Sequence, residues 1–295
     1  MNTSNRQALH TTQSALRFAQ TLLLVFLSLT MLGASMATAE AAEAARRYDV
    51  MVQGALDVEL QPLLKALEGR KTVQLDAWTF WTGRIGDKSV VVCRTEVGPL
   101  NASAATAIGI RYFQPRLLVN QGTAGGHNRA LKLWDIVVGE RTVDFSGVAQ
   151  AHGDEGSGIH VTRWQPMYNR LRLDGRNQVT FESFPGDQAL VKAALGIPYA
   201  RGQLIAGNIG SAFHFSRELD YIDWVRRVYK TDSEDMESAF AAGVATAMHV
   251  RFVAVRIISN TEWGHPTFER IAGEYCAEFV VQMIRALPRR MTDDR

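Results

Sequence analysis

From residue 48 onward the chain alternates short apolar runs, rich in Val, Ile and Leu, with segments whose apolar residues recur every three or four positions, and this alternation restricts the fold more than any other feature. Runs at 48–53, 78–82, 89–94, 116–120, 135–138, 203–206 and 252–259 read as strands. They lack the in-out alternation of a half-exposed sheet, so cover on both faces is expected. Helical spacing falls at 59–68, 100–113, 215–228, 238–249 and 268–287. Strands that alternate with helices specify an α/β fold, here one domain at 48–290 with a twisted mixed central β-sheet flanked by helices. Residues 146–186, rich in Gly, Asp, Asn and Arg, read as an irregular excursion from it, and no internal repeat is present.

Ahead of the domain, residues 1–39 carry the pattern of an export signal. Arg6 and Arg17 stand there without any acidic residue, an apolar run covers 22–32, and Ala37-Thr38-Ala39 offers a small-residue cleavage site. The run, diluted by Ser28 and Thr30, is shorter than the ~20 residues that span a bilayer. Cleavage after Ala39, a linker at 40–47 and a periplasmic or secreted protein free of the membrane are expected.

The whole chain has 32 Lys+Arg against 30 Asp+Glu, and removing the signal takes away two arginines, leaving a neutral protein. That balance argues against a nucleic-acid partner, which requires an excess of basic side chains on one face, and favours a small molecule. Cys93 and Cys276 read as buried free thiols. The seven histidines form no H-x-x-x-H arrangement and the cysteines no C-x-x-C, so neither a metal nor a cofactor is expected.

Four segments sit at strand ends or helix starts, where open α/β sheets place their sites. The first, Gly54-Ala55-Leu56-Asp57-Val58-Glu59, opens a helix with two carboxylates; the helix dipole alone can explain acids there. The second, Val119-Asn120-Gln121-Gly122-Thr123-Ala124-Gly125-Gly126, runs from a strand into a Gly-rich loop that lets backbone approach a ligand but matches neither the dinucleotide nor the P-loop pattern. The third, Asp232-Ser233-Glu234-Asp235-Met236-Glu237-Ser238, is either a solvated helix entry or, with small helix residues beyond it, the floor of a ligand site. The fourth, Arg256-Ile257-Ile258-Ser259-Asn260, puts an arginine inside an apolar strand, where it needs a partner.

These four segments, in this order, together with Val97-Gly98-Pro99-Leu100-Asn101-Ala102, resemble the superfamily of purine nucleoside phosphorylases and methylthioadenosine/S-adenosylhomocysteine nucleosidases. The resemblance spans nearly all of the chain after Arg47 and implies cleavage of the bond between a purine and its ribose. It implies that Glu59 activates the attacking water, that Glu237 grips the ribose hydroxyls with Met236 along the sugar, that Arg256, Ser259 and Thr123 surround the nucleophile, and that Gly125 is a further substrate-binding residue. Phe268 would cover the sugar, and Phe213, in a stretch whose length departs from the family pattern, would be the stacking aromatic. Homo-oligomers are expected, with a dimer favoured.

Phosphorylases of this kind hold phosphate with arginines, one of them where this chain has Asn120, so the resemblance implies a purine nucleoside N-ribohydrolase. An exported phosphorylase and a non-catalytic nucleoside-binding or storage protein on the same fold are the alternatives. Adenine-directed nucleosidases carry Asp where this chain has Asn260. An amide is no acid but offers both a donor and an acceptor, which suits a 6-oxopurine nucleoside; a slowed enzyme for methylthioadenosine-type nucleosides is the other reading. The signal pattern predicts that exported protein begins near Glu40; N-terminal sequencing that returns Met1 from periplasmic material would overturn it.

Overall fold

Each of those apolar runs is a strand of one sheet in the computed structural model, which describes residues 48–291. The expected export signal and linker, residues 1–47, lie outside the described residues. The sheet consists of β1 (Val50–Gly54), β2 (Glu68–Leu75), β3 (Trp78–Ile85), β4 (Lys88–Arg94), β5 (Leu117–Gly126), β6 (Ile136–Asp144), β7 (Phe184–Pro185), β8 (Leu204–Ser211), β9 (Ser233–Asp235) and β10 (Arg251–Asn260). The helices are α1 (Asp57–Ala66), α2 (Pro99–Phe113), α3 (Gln188–Leu195), α4 (Leu219–Tyr229), α5 (Ser238–Ala247) and α6 (Ala272–Ala286). Among the described residues no helix is long and apolar enough to cross a membrane.

Successive strand residues point to opposite faces, and the buried residues divide accordingly. Val50, Val52, Val90, Val92, Val253 and Val255 pack with α1, α3 and α6. Met51, Val91, Cys93, Leu118 and Ala254 pack with α2 and α5. Cover on both faces is why the strand sequences lack alternation.

The sheet also closes on itself. One edge of β5 pairs in parallel with β1 through Asn120, and after β1 ends the same edge meets β9 antiparallel at Gly125 and Gly126. Its other edge pairs with β10 from Leu117 to Gly125. Since β10 also pairs with β6, β6 with β8, and β8 with β9, these strands form a ring with β5. The far end of β5 is thereby enclosed by β9 and β10.

Several boundaries differ from the sequence reading. Residues 122–126 continue β5 rather than forming a loop, and 233–235 are a buried strand rather than a solvated helix entry, because pairing with β5 and β8 satisfies their backbone. Glu68 begins β2, an exposed polar strand that apolar patterning does not reveal. Helices expected from 215 and 268 start at Leu219 and Ala272. The excursion at 146–186 holds two short strand pairs.

Helix α3 also escaped the pattern, although Asp187 marks its start. One carboxylate oxygen caps Ala189 N and Leu190 N at 3.1 and 3.0 Å, and Arg251, at the start of β10, donates to both oxygens at 2.8 and 3.0 Å. Burial raises the Asp187 pKa, but Arg251 and the capped amides outweigh it and hold the carboxyl below its ordinary range. Its stabilisation is therefore present above the unfolded-state pKa and lost as pH falls through the lowered one. Asp187→Ala is expected to cost about 1–2 kcal/mol at neutral pH, with a gap from wild type that shrinks in acid; an unchanged denaturation midpoint would refute this.

Candidate active site

The turn from β1 into α1 is short enough that Glu59, three residues after Leu56, folds back over it. Its Oε2 accepts from the backbone N–H groups of Ala55 and Leu56 at 2.9 and 3.0 Å. Oε1 accepts from the Thr123 N–H at 2.8 Å and the Thr123 hydroxyl at 2.9 Å. Four donors thus fix a carboxylate that is only 2 % exposed. Gly122 makes this approach possible: a Cβ there would stand 2.6 Å from Oε1 of Glu59 and 2.7 Å from Nη1 of Arg256.

Arg256, in the middle of β10, is 1 % exposed. Its Nε lies 2.7 Å from Oδ2 of Asp235 and donates to the Ser238 hydroxyl at 3.0 Å. Nη2 donates to Oδ1 of Asn120 and lies 3.5 Å from Oε2 of Glu237, while Nη1 donates to the Thr123 carbonyl at 3.4 Å. Asp235 in turn accepts from the Ser211 hydroxyl at 2.5 Å and from the amides of Glu237 and Ser238, each at 3.0 Å. Two of the acids that looked like a solvated helix entry, Asp235 and Glu237, therefore face a buried guanidinium.

Glu237 accepts from the Gly98 N–H at 2.9 Å. Burial, the largest influence, pushes its pKa up to about 7; Asp235 and Glu59 push the same way, and Arg256 and the Gly98 amide oppose them. Asn260 ends β10, its Oδ1 3.1 Å from the Ser259 hydroxyl, whose one proton the Ala124 carbonyl shares at the same distance. This arrangement leaves the Asn260 NH₂ group available, about 3.5 Å from the position of a Cβ on Gly125.

Glu59, Thr123, Gly125, Met236, Glu237, Arg256, Ser259, Asn260 and Phe268 all line one cavity of about 150 Å³. Phe213 is absent from that wall. It is 71 % exposed, with its ring against Gly98, and lines a neighbouring cavity of about 590 Å³. His214 and Phe215 stand in the site's wall instead. Of the two rings, Phe215 lines the site and Phe213 the neighbouring cavity. Phe213 and Phe215 alternate along an aperiodic loop after β8, so only the path of that loop decides which ring turns inward. Asp235, Glu234 and Val97, which the sequence placed within the motif segments without a role of their own, also line the site. The signal for Asp235 was the unpaired Arg256. No group of three or more His, Cys, Asp or Glu among the described residues is arranged to hold a metal ion.

Curated relatives include two 5′-methylthioadenosine/S-adenosylhomocysteine nucleosidases. The protein from Geobacillus sp. (strain WCH70) is 25% identical over 81% of this chain and 99% of its own length. That from Geobacillus thermodenitrificans is 27% identical over 78% and 94%. Among solved structures, the nucleosidase of the same name from Neisseria meningitidis, in complex with methylthio-immucillin-A, superimposes with a TM-score of 0.66 at 23% identity, covering 82% of this chain and all of that one. The sequence model of the phosphorylase superfamily matches residues 49–285, essentially the whole described domain, and the chain belongs to that superfamily.

Proposed function

We propose that this protein is a purine nucleoside N-ribohydrolase that uses water as its nucleophile. The observation that carries the reading is the charge of the cavity, where Glu59, Asp235 and Glu237 surround a single guanidinium, that of Arg256. N-glycosidic cleavage develops positive charge on the ribose and negative charge on the base, and preorganised groups lower the barrier where charge develops. Carboxylates along the sugar suit the first of these. A phosphate dianion would meet them at close range, each pair of like unit charges costing about 4 kcal/mol at roughly 4 Å in a partly screened medium. Asn120 stands where phosphorylases carry an arginine, and Arg256 is committed to protein acceptors.

In this mechanism Glu59 takes a proton from water as its oxygen bonds to C1′ of the ribose. The C1′–N9 bond breaks with its electron pair leaving on the base. Backbone donors at Ala55, Leu56 and Thr123 aim the carboxylate, so little reorganisation accompanies the step. Glu237 accepts from the ribose hydroxyls and favours the oxocarbenium-like cation, Met236 lies along the sugar, and Phe215 packs on the base. Phe268, 40 % exposed, stands at the rim. The export signal extends the proposal to a periplasmic or secreted enzyme.

The relatives' names point to adenine nucleosides with sulfur at the 5′ position, whereas Asn260 favours a 6-oxopurine. With its carbonyl on the Ser259 side, the amide presents NH₂ toward the base as a donor for O6, and its carbonyl's second lone pair accepts from N7 once the leaving base has taken a proton there from solvent water.

Two measurements test the reading. Glu59→Gln is expected to lower kcat by about 10²–10⁴-fold, the usual worth of general-base catalysis, while leaving the Kd of a non-hydrolysable nucleoside analogue within a few-fold; undiminished turnover removes Glu59 from the chemistry. Wild type is expected to favour inosine over adenosine by roughly ten- to a hundredfold in kcat/KM, the effect of an unpaired buried polar group, and Asn260→Asp to reverse the order. An adenine preference in wild type, or an unchanged ratio in the variant, would refute base reading by Asn260.

A further inference from the structure

Glu234 and His127 are buried ionisable residues that the mechanism above does not use. Glu234 sits on β9 opposite Gly125 of β5, and Asn260 of β10 is paired with the same glycine from the other side. A Cβ on Gly125 would lie 3.5 Å from Cγ of Glu234 and 3.5 Å from Nδ2 of Asn260. The missing side chain therefore brings Glu234 to the end of the cavity where the base is expected.

Its carboxylate is 7 % exposed and held from two directions. Oε1 accepts from the Ser216 N–H at 2.8 Å, and Oε2 accepts from the Ser216 hydroxyl at 2.6 Å. Nε2 of His127, a ring only 1 % exposed, lies 3.0 Å from Oε2, and its Nδ1 is 2.7 Å from the Thr231 hydroxyl. Burial pushes the Glu234 pKa up, yet His127 and the Ser216 donors more than compensate and hold the carboxyl below its usual range. The bonds to Ser216 are therefore charge-assisted, the stronger kind.

Ser216 closes the short stretch that carries His214 and Phe215. Its other end is attached where Ala212 N donates to the Asp235 carbonyl at 3.1 Å. His214 and Phe215 line both the site and the neighbouring cavity of about 590 Å³, so they form the partition between the two. A partition with open space behind it keeps its place only if its ends are tied. An apolar pair would cover the core at lower desolvation cost than a buried His–Glu pair, so the pair's hold on Ser216 is what sets it apart.

We infer that Glu234, braced by His127, is a positioning residue that acts through Ser216 to hold the His214–Phe215 partition against the base. The inference rests on the nucleosidase reading. It is tested by calorimetric titration with two probes, hypoxanthine for the base end and an iminoribitol for the sugar end, on wild type, Ser216→Ala, Ser216→Thr and Glu234→Gln. Hypoxanthine affinity is expected to fall about tenfold in Ser216→Ala and Glu234→Gln and to remain in Ser216→Thr, which keeps both donors, while iminoribitol affinity stays within twofold throughout. Equal loss of both probes means a general structural role and overturns the inference, as does hypoxanthine binding that no variant alters. Wild type that binds neither probe overturns the nucleosidase reading itself. Wild type that binds the iminoribitol but not hypoxanthine overturns the purine assignment, and this inference with it.

Discussion

The buried guanidinium of Arg256 is the constraint from which the site follows. A charge removed from water costs several kcal/mol unless it is paired and hydrogen-bonded, and the surrounding strand is otherwise apolar from Phe252 to Ile258. Satisfying it recruits Asp235 from β9, Ser238 from the start of α5, and Asn120 and the Thr123 carbonyl from β5. Those partners join segments more than a hundred residues apart in the chain, so the polar heart of the site forms only when the ring of strands closes.

Ring closure also explains why glycines are needed where they occur. Between β9 and β10 the end of β5 has side chains converging on it from both neighbours, and a Cβ at Gly122 would collide with Glu59 and Arg256. The absent side chains become the room in which the carboxylates stand. Glu59 reaches that room from α1, held by donors that include the N–H and hydroxyl of Thr123. A carboxylate placed this way meets the requirement of preorganisation that the proposed mechanism sets.

Two features distinguish the base end from the sugar end. On the proposed reading, the sugar end is the one dominated by acids around one arginine, which suits developing positive charge. The base end combines a neutral amide, Asn260, with the His127–Glu234 pair that faces away toward Ser216. Burial also pushes the Glu237 pKa up to about 7, against the carboxylate form. An amide at 260 avoids one more charge there and, on the proposed reading, leaves the departing base without an ionisable proton donor at this position.

Apolar runs and helical spacing in the sequence determined the α/β class and the seven strand cores, because burial on both faces of a sheet demands uninterrupted Val, Ile and Leu. The family resemblance carried by the motifs, rather than the apolar pattern, pointed to Glu59, Thr123, Gly125, Met236, Glu237, Arg256, Ser259, Asn260 and Phe268, which the fold brings to one cavity. Three things needed tertiary structure. The strand nature of 233–235 depends on partners supplied by β5 and β8, and three polar residues carry no periodicity of their own. That Phe215 rather than Phe213 lines the cavity depends on the route of a loop tied by Glu234, 18 residues beyond Ser216. The role of Glu234 itself rests on hydrogen bonds and a cross-strand glycine, contacts between distant segments that no local pattern encodes.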